Sequence, residues 1–127
     1  MHLVAVVAAL ALIEYAYFGL EVGRARARYG VKAPATTGHE VFERQYRVQQ
    51  NTGEQLLLFL PALYLFAGYV SAPVAALLGL VFIVGRGLYA RGYVADPAQR
   101  STGFTIGFVA TAVLLVGGLA GAVWAAL

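Results

Sequence analysis

Cysteine does not occur in this chain. Its absence excludes disulfides, thiolate metal ligands and a nucleophilic thiol carried by the protein itself, so any sulfur chemistry has to come from a substrate. Charge is nearly as scarce: charged residues make up 12% of the 127 residues and apolar ones 61%, whereas an ordinary soluble domain carries about 25% charge. That balance places residues 1–127 in a bilayer as one membrane domain. Histidine is limited to His2 and His39, distant from each other and without companion ligands, and both are read as solvated side chains with no metal site. Glycine-rich phosphate loops and nucleic-acid-binding patterns are also missing. The modest net charge of +3 is read as a matter of membrane orientation.

What the chain does have is long apolar tracts. A spanning helix needs about 20 mostly apolar residues, and four tracts are read here, predicting an all-α, up-down-up-down four-helix bundle with helices over about 3–28, 42–69, 73–93 and 97–126. The stretch Leu3 to Ile13 resembles a signal-peptide core, but no basic residue precedes it and the apolar pattern continues to Val22, so it is read as a retained helix. Only about 30 uncharged residues separate Glu54 from Arg86, too few for two full spans and a turn, so both flanking helices are expected to carry their polar ends past the hydrocarbon. Ser71-Ala72-Pro73 reads as the tight turn between them, with proline in the first helical turn. Asp96-Pro97-Ala98-Gln99 reads as the capped start of helix four. Within that helix, Gly103/Gly107 and Gly117/Gly121 are small-xxx-small pairs that permit close helix approach.

All nine Lys and Arg residues lie between Arg24 and Arg47 or between Arg86 and Arg100. The bias of basic residues toward the cytoplasm then predicts two cytoplasmic connections and both termini outside, in what is expected to be a bacterial inner membrane. On helix one, Glu14, Tyr17, Glu21, Arg24 and Arg28 fall within about 80° at 100° per residue, a stripe expected to face neighbouring helices rather than lipid. Glu14 is expected to bond a neighbouring helix, through Tyr15, Tyr17 or a backbone group.

The block Glu43 to Glu54 runs straight into Leu56-Leu57-Leu58-Phe59-Leu60. Arg44, Arg47, Asn51 and Glu54 fall within about 80° of one another, so cations, an amide and a carboxylate share one helix face at the membrane boundary, a surface suited to a zwitterionic ligand. Arg86, Tyr89 and Tyr93 lie within about 60° on helix three, on the same side of the membrane, while Arg91 faces away. Arg100 follows in the first turn of helix four.

These residues resemble one family. The run Phe42-Glu43-Arg44, Tyr46-Arg47, Gln49, Asn51, Glu54, Arg86, Tyr89, Gly92-Tyr93 and Arg100, extended upstream through Thr36-Thr37-Gly38 to Arg26, is similar to the membrane-associated proteins in eicosanoid and glutathione metabolism. That group includes microsomal glutathione transferases and the glutathione-conjugating leukotriene synthase. The resemblance implies a homotrimer binding glutathione between subunits near the cytosolic face. It also implies Arg26, Arg47, Gln49, Asn51, Glu54, Arg86, Tyr89 and Tyr93 as glutathione-binding residues and Arg100 as the catalytic group beside the sulfur. Gln55 departs from the pattern, standing where relatives close to the leukotriene synthase often have tyrosine.

The implied function is a membrane-bound glutathione transferase, with possible peroxidase activity, in which a bound thiolate attacks a lipophilic electrophile or hydroperoxide that arrives through membrane lipid. Glutathione is the co-substrate and no metal is involved. Two alternatives belong to other classes: a non-catalytic lipid-binding scaffold of the same family, and a small proton-coupled multidrug exporter built on the intramembrane Glu14.

Overall fold

The computed structural model describes residues 1–127, which form four long helices: α1 (His2–Tyr29), α2 (Glu40–Tyr69), α3 (Ala72–Ala95) and α4 (Ser101–Ala126). Several ends are closed by local chemistry. Gly30 adopts the left-handed conformation (φ 69°) after α1 and returns its N–H to the Arg26 carbonyl, ending the helix. Ser71 accepts from Val74 N at 3.3 Å to start α3, with proline in its first turn. The start of α4 differs from expectation. Asp96 caps a separate 3-10 turn, Pro97–Gln99, accepting from Ala98 N at 3.1 Å, and the α-helix begins only at Ser101. Arg100 therefore occupies a junction between two helical segments.

α2 also departs from the four-tract reading. By length and composition three helices qualify as spans, those beginning at His2, Ala72 and Pro97. The first half of α2 is the polar block, leaving only the stretch from Gln55 to Tyr69 apolar. Its 30 residues extend about 45 Å at 1.5 Å per residue, of which the apolar stretch supplies about 22 Å, short of the roughly 30 Å hydrocarbon thickness.

α2 and α3 form the middle of the bundle, with α1 against one side of the pair and α4 against the other. The core runs from Val4, Val7, Ala8 and Ala11 of α1 through Phe59, Leu63 and Phe66 to Phe82 and Leu114. Phe59 and Phe82 stack with ring centroids 3.8 Å apart. Outward-facing Leu57, Leu77, Val116, Leu119 and Trp124 remain exposed, a belt suited to lipid. Where α3 crosses α4 the contact is between backbones: a Cβ placed on Gly85 would lie 2.6 Å from Gly107 N. Only glycine permits this approach, and it brings the end of α3 and the start of α4 side by side.

The α1 stripe is not simply turned inward. Tyr17, Arg24 and Arg28 are exposed, while Glu14 and Glu21 are half-buried along a groove against α3. The core face of α1 is instead the apolar row that includes Phe18, Val22 and Ala25. His39 is more than a solvated side chain: its Nδ1 accepts from Val41 N at 3.1 Å to cap α2, and its ring stacks on Tyr29.

Candidate functional site

At one end of the bundle, α2, α3 and the start of α4 enclose a cavity of about 550 Å³ lined by Arg47, Asn51, Tyr89, Tyr93, Arg100 and Phe104. Three facts of sequence bring these together. Arg47 and Asn51 are four residues apart on α2, and Tyr89 and Tyr93 four apart on α3, so each pair projects from one helix face. Arg100 and Phe104 repeat that spacing across the junction into α4. Tyr89 and Tyr93 rings lie 5.5 Å apart, and Tyr89 also meets Phe104 at 6.3 Å. Behind this aromatic wall, Phe18, Val48 and Tyr89 form a small buried cluster that fixes its position.

Below the cavity sits the largest fully buried side chain of the protein, Arg86, 1% exposed. Its Nε and Nη2 donate to Thr52 Oγ1 at 3.3 and 2.8 Å, and Nη2 donates to Asn51 Oδ1 at 2.9 Å. Its guanidinium carbon lies 4.1 Å from the Tyr89 ring centroid, a cation–π distance. Arg86 therefore does not line the cavity. It holds two residues that do. Thr52, fully buried, was not singled out by the sequence reading; its only signal was a hydroxyl beside Asn51 on the inward side of an apolar helix. Phe104 was also missed, and its signal was the four-residue spacing from Arg100.

The remaining expected residues divide. Glu54 is exposed and stands 4.0 Å from Arg47, at the edge of ion-pair range. Arg44, despite sharing the α2 polar face, is spent on structure: it donates to the Val94 and Ala95 carbonyls at 3.1 and 3.4 Å and pairs with Glu40, tying α2 to the end of α3. Arg26 donates to Ala35 O at 2.8 Å and lies over the Phe42 ring, holding the α1–α2 connection. Gln49 Nε2 lies 3.4 Å from where a Cβ on Gly19 would stand, so it faces α1. Gly19 and Arg26, seven residues apart, share that side of α1. Neither Arg26 nor Gln49 lines the cavity of its own subunit. Arg100 does, while donating to the Pro97 carbonyl at 2.6 Å.

Comparison with known proteins supplies the family. The MAPEG family profile matches residues 4–120. The chain belongs to the MAPEG family. Among similar MAPEG and related sequences, an uncharacterised protein of Synechocystis is 50% identical over 120 residues, covering 94% of this chain and 88% of its own. Human microsomal glutathione S-transferase 2 is 42% identical over 115 residues, 89% of this chain and 78% of that protein. Leukotriene C4 synthase of Cavia porcellus is 44% identical over 98 residues, 77% of this chain and 65% of that protein. As a MAPEG protein with three span-competent helices, the chain is an integral membrane protein of a glutathione-related type.

Proposed function

We propose that the cavity between α2, α3 and α4 binds glutathione and that the protein is a membrane glutathione transferase. The observation that carries this reading is the convergence of Arg47, Asn51, Tyr89, Tyr93 and Arg100 from three helices on one cavity of about 550 Å³, within the usual range for a small-ligand site. Glutathione presents two carboxylates and an ammonium. Arg47 suits a carboxylate, Asn51 and the tyrosine hydroxyls suit the peptide, and Glu54, beside Arg47, suits the ammonium.

Arg26 and Gln49 enter this site only from a second copy. They occupy the α1–α2 side, while the cavity lies on the α2–α3–α4 side, so a ring of identical subunits that sets one side against the other would complete each site with its neighbour's residues. A homotrimer with the sites at its subunit boundaries supplies this closure. The concentration of Arg and Lys at the cavity end supports placing that end at the cytoplasm.

Arg100 is the group proposed to ionise the thiol. A free thiol has a pKa of about 8.5 and is only a few per cent ionised at neutral pH. A guanidinium about 4 Å away is worth roughly 4 kcal/mol at an effective dielectric of about 20. Lowering the pKa by two units needs about 2.7 kcal/mol, which leaves a margin for screening by water around the exposed Arg100. The proton leaves to water. The thiolate sulfur then attacks the electrophilic carbon of an apolar substrate, a carbon–sulfur bond forms, and the leaving group departs with its electron pair. With a lipid hydroperoxide the thiolate attacks the terminal oxygen, the O–O bond breaks, the alkoxide takes a proton to leave as the alcohol, and the sulfenic acid left on sulfur is reduced by a second glutathione to give glutathione disulfide and water.

The test is calorimetric titration of glutathione into detergent-purified protein, together with turnover against a panel of aryl halides and hydroperoxides. The reading expects saturable binding and glutathione-dependent product. Absence of binding at millimolar glutathione overturns it and leaves the lipid-binding scaffold in its place.

A further inference from the structure

The buried cation Arg86 lacks a bonded anion. Its hydrogen-bond partners are the neutral oxygens of Thr52 and Asn51, and its remaining close neighbour is the Tyr89 ring. A guanidinium at 1% exposure is strongly disfavoured without a compensating charge, because neutral oxygens replace its hydration only in part.

The acids of the chain are otherwise engaged. Glu21 pairs with Arg24, Glu40 with Arg44, Glu54 approaches Arg47, Glu43 accepts from Gly38 N, and Asp96 caps its turn. Glu14 alone has no partner. Its Oε1 is buried and accepts no hydrogen bond, which also corrects the expectation that Tyr15, Tyr17 or a backbone group would satisfy it.

The position of Glu14 explains what it faces. Its Oε2 lies 3.6 Å from where a Cβ on Gly87 would stand, and Gly87 follows Arg86 directly in α3. Glycine at that point lets the carboxylate approach the α3 backbone. Glu14 and Arg86 form no direct salt bridge, but the carboxylate packs against the residue next to Arg86 in the chain. The carboxylate reaches this spot from the groove of about 500 Å³ between α1 and α3, which also holds Tyr17, Glu21, Gln45 and Arg91. That groove and the proposed glutathione cavity share no lining residue.

We propose that Glu14 is the counter-charge of Arg86 and, through Arg86, a positioning residue for the glutathione cavity. The order of action runs across the bundle, from Glu14 on α1 to Arg86 on α3, then to Asn51 and Tyr89 in the cavity wall. Two incompletely compensated groups, a buried cation bonded only to neutral oxygens and a buried carboxylate oxygen with no donor, come from consecutive positions on α3: Arg86 itself and Gly87, against which Glu14 packs. Each is the compensation the other lacks. Glu14 touches neither glutathione nor the second substrate. This inference rests on the proposed glutathione function for its consequence in the cavity, but not for the pairing itself.

A double-mutant cycle tests the two parts separately. Glu14→Gln, Arg86→Met and the double variant are compared by thermal unfolding in detergent and by glutathione titration. Pairing predicts that Glu14→Gln lowers the unfolding midpoint in the wild-type background and has little further effect once Arg86 is replaced; additive effects overturn the proposal. Should Arg86→Met fail to fold, Glu14→Gln and the charge-keeping Glu14→Asp decide it. Glu14→Gln is expected to weaken glutathione binding about tenfold, the scale of a small displacement of binding groups, with the KM for an aryl halide unchanged. Glu14→Asp, which keeps the charge, should recover part of the loss. Glutathione affinity unchanged in Glu14→Gln, or no recovery in Glu14→Asp, overturns it. If wild-type protein binds no glutathione, the functional reading fails while the unfolding cycle still decides the pairing.

Discussion

Arg86 places two of its nitrogens on one oxygen, Thr52 Oγ1, at 3.3 and 2.8 Å. A single hydroxyl on α2 thereby fixes the rotation of the guanidinium on α3, and with it the hydrogen bond to Asn51 in the cavity wall.

Thr52→Val removes both bonds while keeping the side-chain volume. The expected cost is about 1.5–3 kcal/mol, the range for hydrogen bonds to a charged group, read by denaturant unfolding in micelles. Glutathione affinity should fall as well, since Asn51 loses its support. Unchanged stability and affinity would mean that Arg86 holds its position without the Thr52 hydroxyl.

Arg100→Met should leave glutathione binding within a few-fold of wild type while turnover with an aryl halide drops roughly 25-fold at about pH 7, the loss of thiolate expected when the thiol pKa returns from about 6.5 to about 8.5. Ultraviolet absorbance of the bound thiolate checks the cause directly. Turnover equal to wild type would remove Arg100 from the mechanism.

Gly85→Ala sets a methyl 2.6 Å from Gly107 N. Neither backbone can yield without shifting its helix, so overpacking should cost about 1–3 kcal/mol and reduce turnover by displacing Arg100 relative to Tyr93. Thermal unfolding and steady-state kinetics measure the two effects. Gly23→Ala, inside α1 at a site where an added Cβ meets nothing within 4 Å, is the matched control and should raise stability by up to about 1 kcal/mol, the helix preference for alanine over glycine, with turnover unchanged.

Subunit complementation tests the shared site. Arg26→Ala combined with Gln49→Ala spoils the α1–α2 side, and Arg47→Ala combined with Asn51→Ala spoils the cavity side. Each double variant alone should bind glutathione weakly. Co-expressed in equal amounts, random ring assembly gives about a quarter of the boundaries two intact sides, and activity should return to that fraction. No recovery in mixed oligomers would restrict the site to one subunit.

The bundle was legible because its helices are long and apolar, and because faces follow from spacing: Arg47 with Asn51, and Tyr89 with Tyr93, meet in the cavity as their wheels predicted. A wheel gives direction but not depth or competition. It grouped Arg86 with Tyr89 and Tyr93, yet Arg86 stops beneath the cavity because Thr52 and Asn51 capture it first. It grouped Arg44 with Arg47, yet the last carbonyls of α3, brought near only by the tertiary fold, take Arg44 away. Arg26 is held by carbonyls of the following connection, whose path no periodicity describes. The neutral junction at Pro97–Gln99 was read as the start of a helix because a capped 3-10 turn and a capped α-helix begin with the same residues.

The seat of α4 on α3 acts as a fulcrum. Arg100 lies seven residues beyond Gly107, a lever arm of about 10 Å at helical rise. Rocking α4 by 5° about that point would swing the cation by about 0.9 Å, so the tolerance with which a charge meets its sulfur is set at two residues that carry no side chain at all.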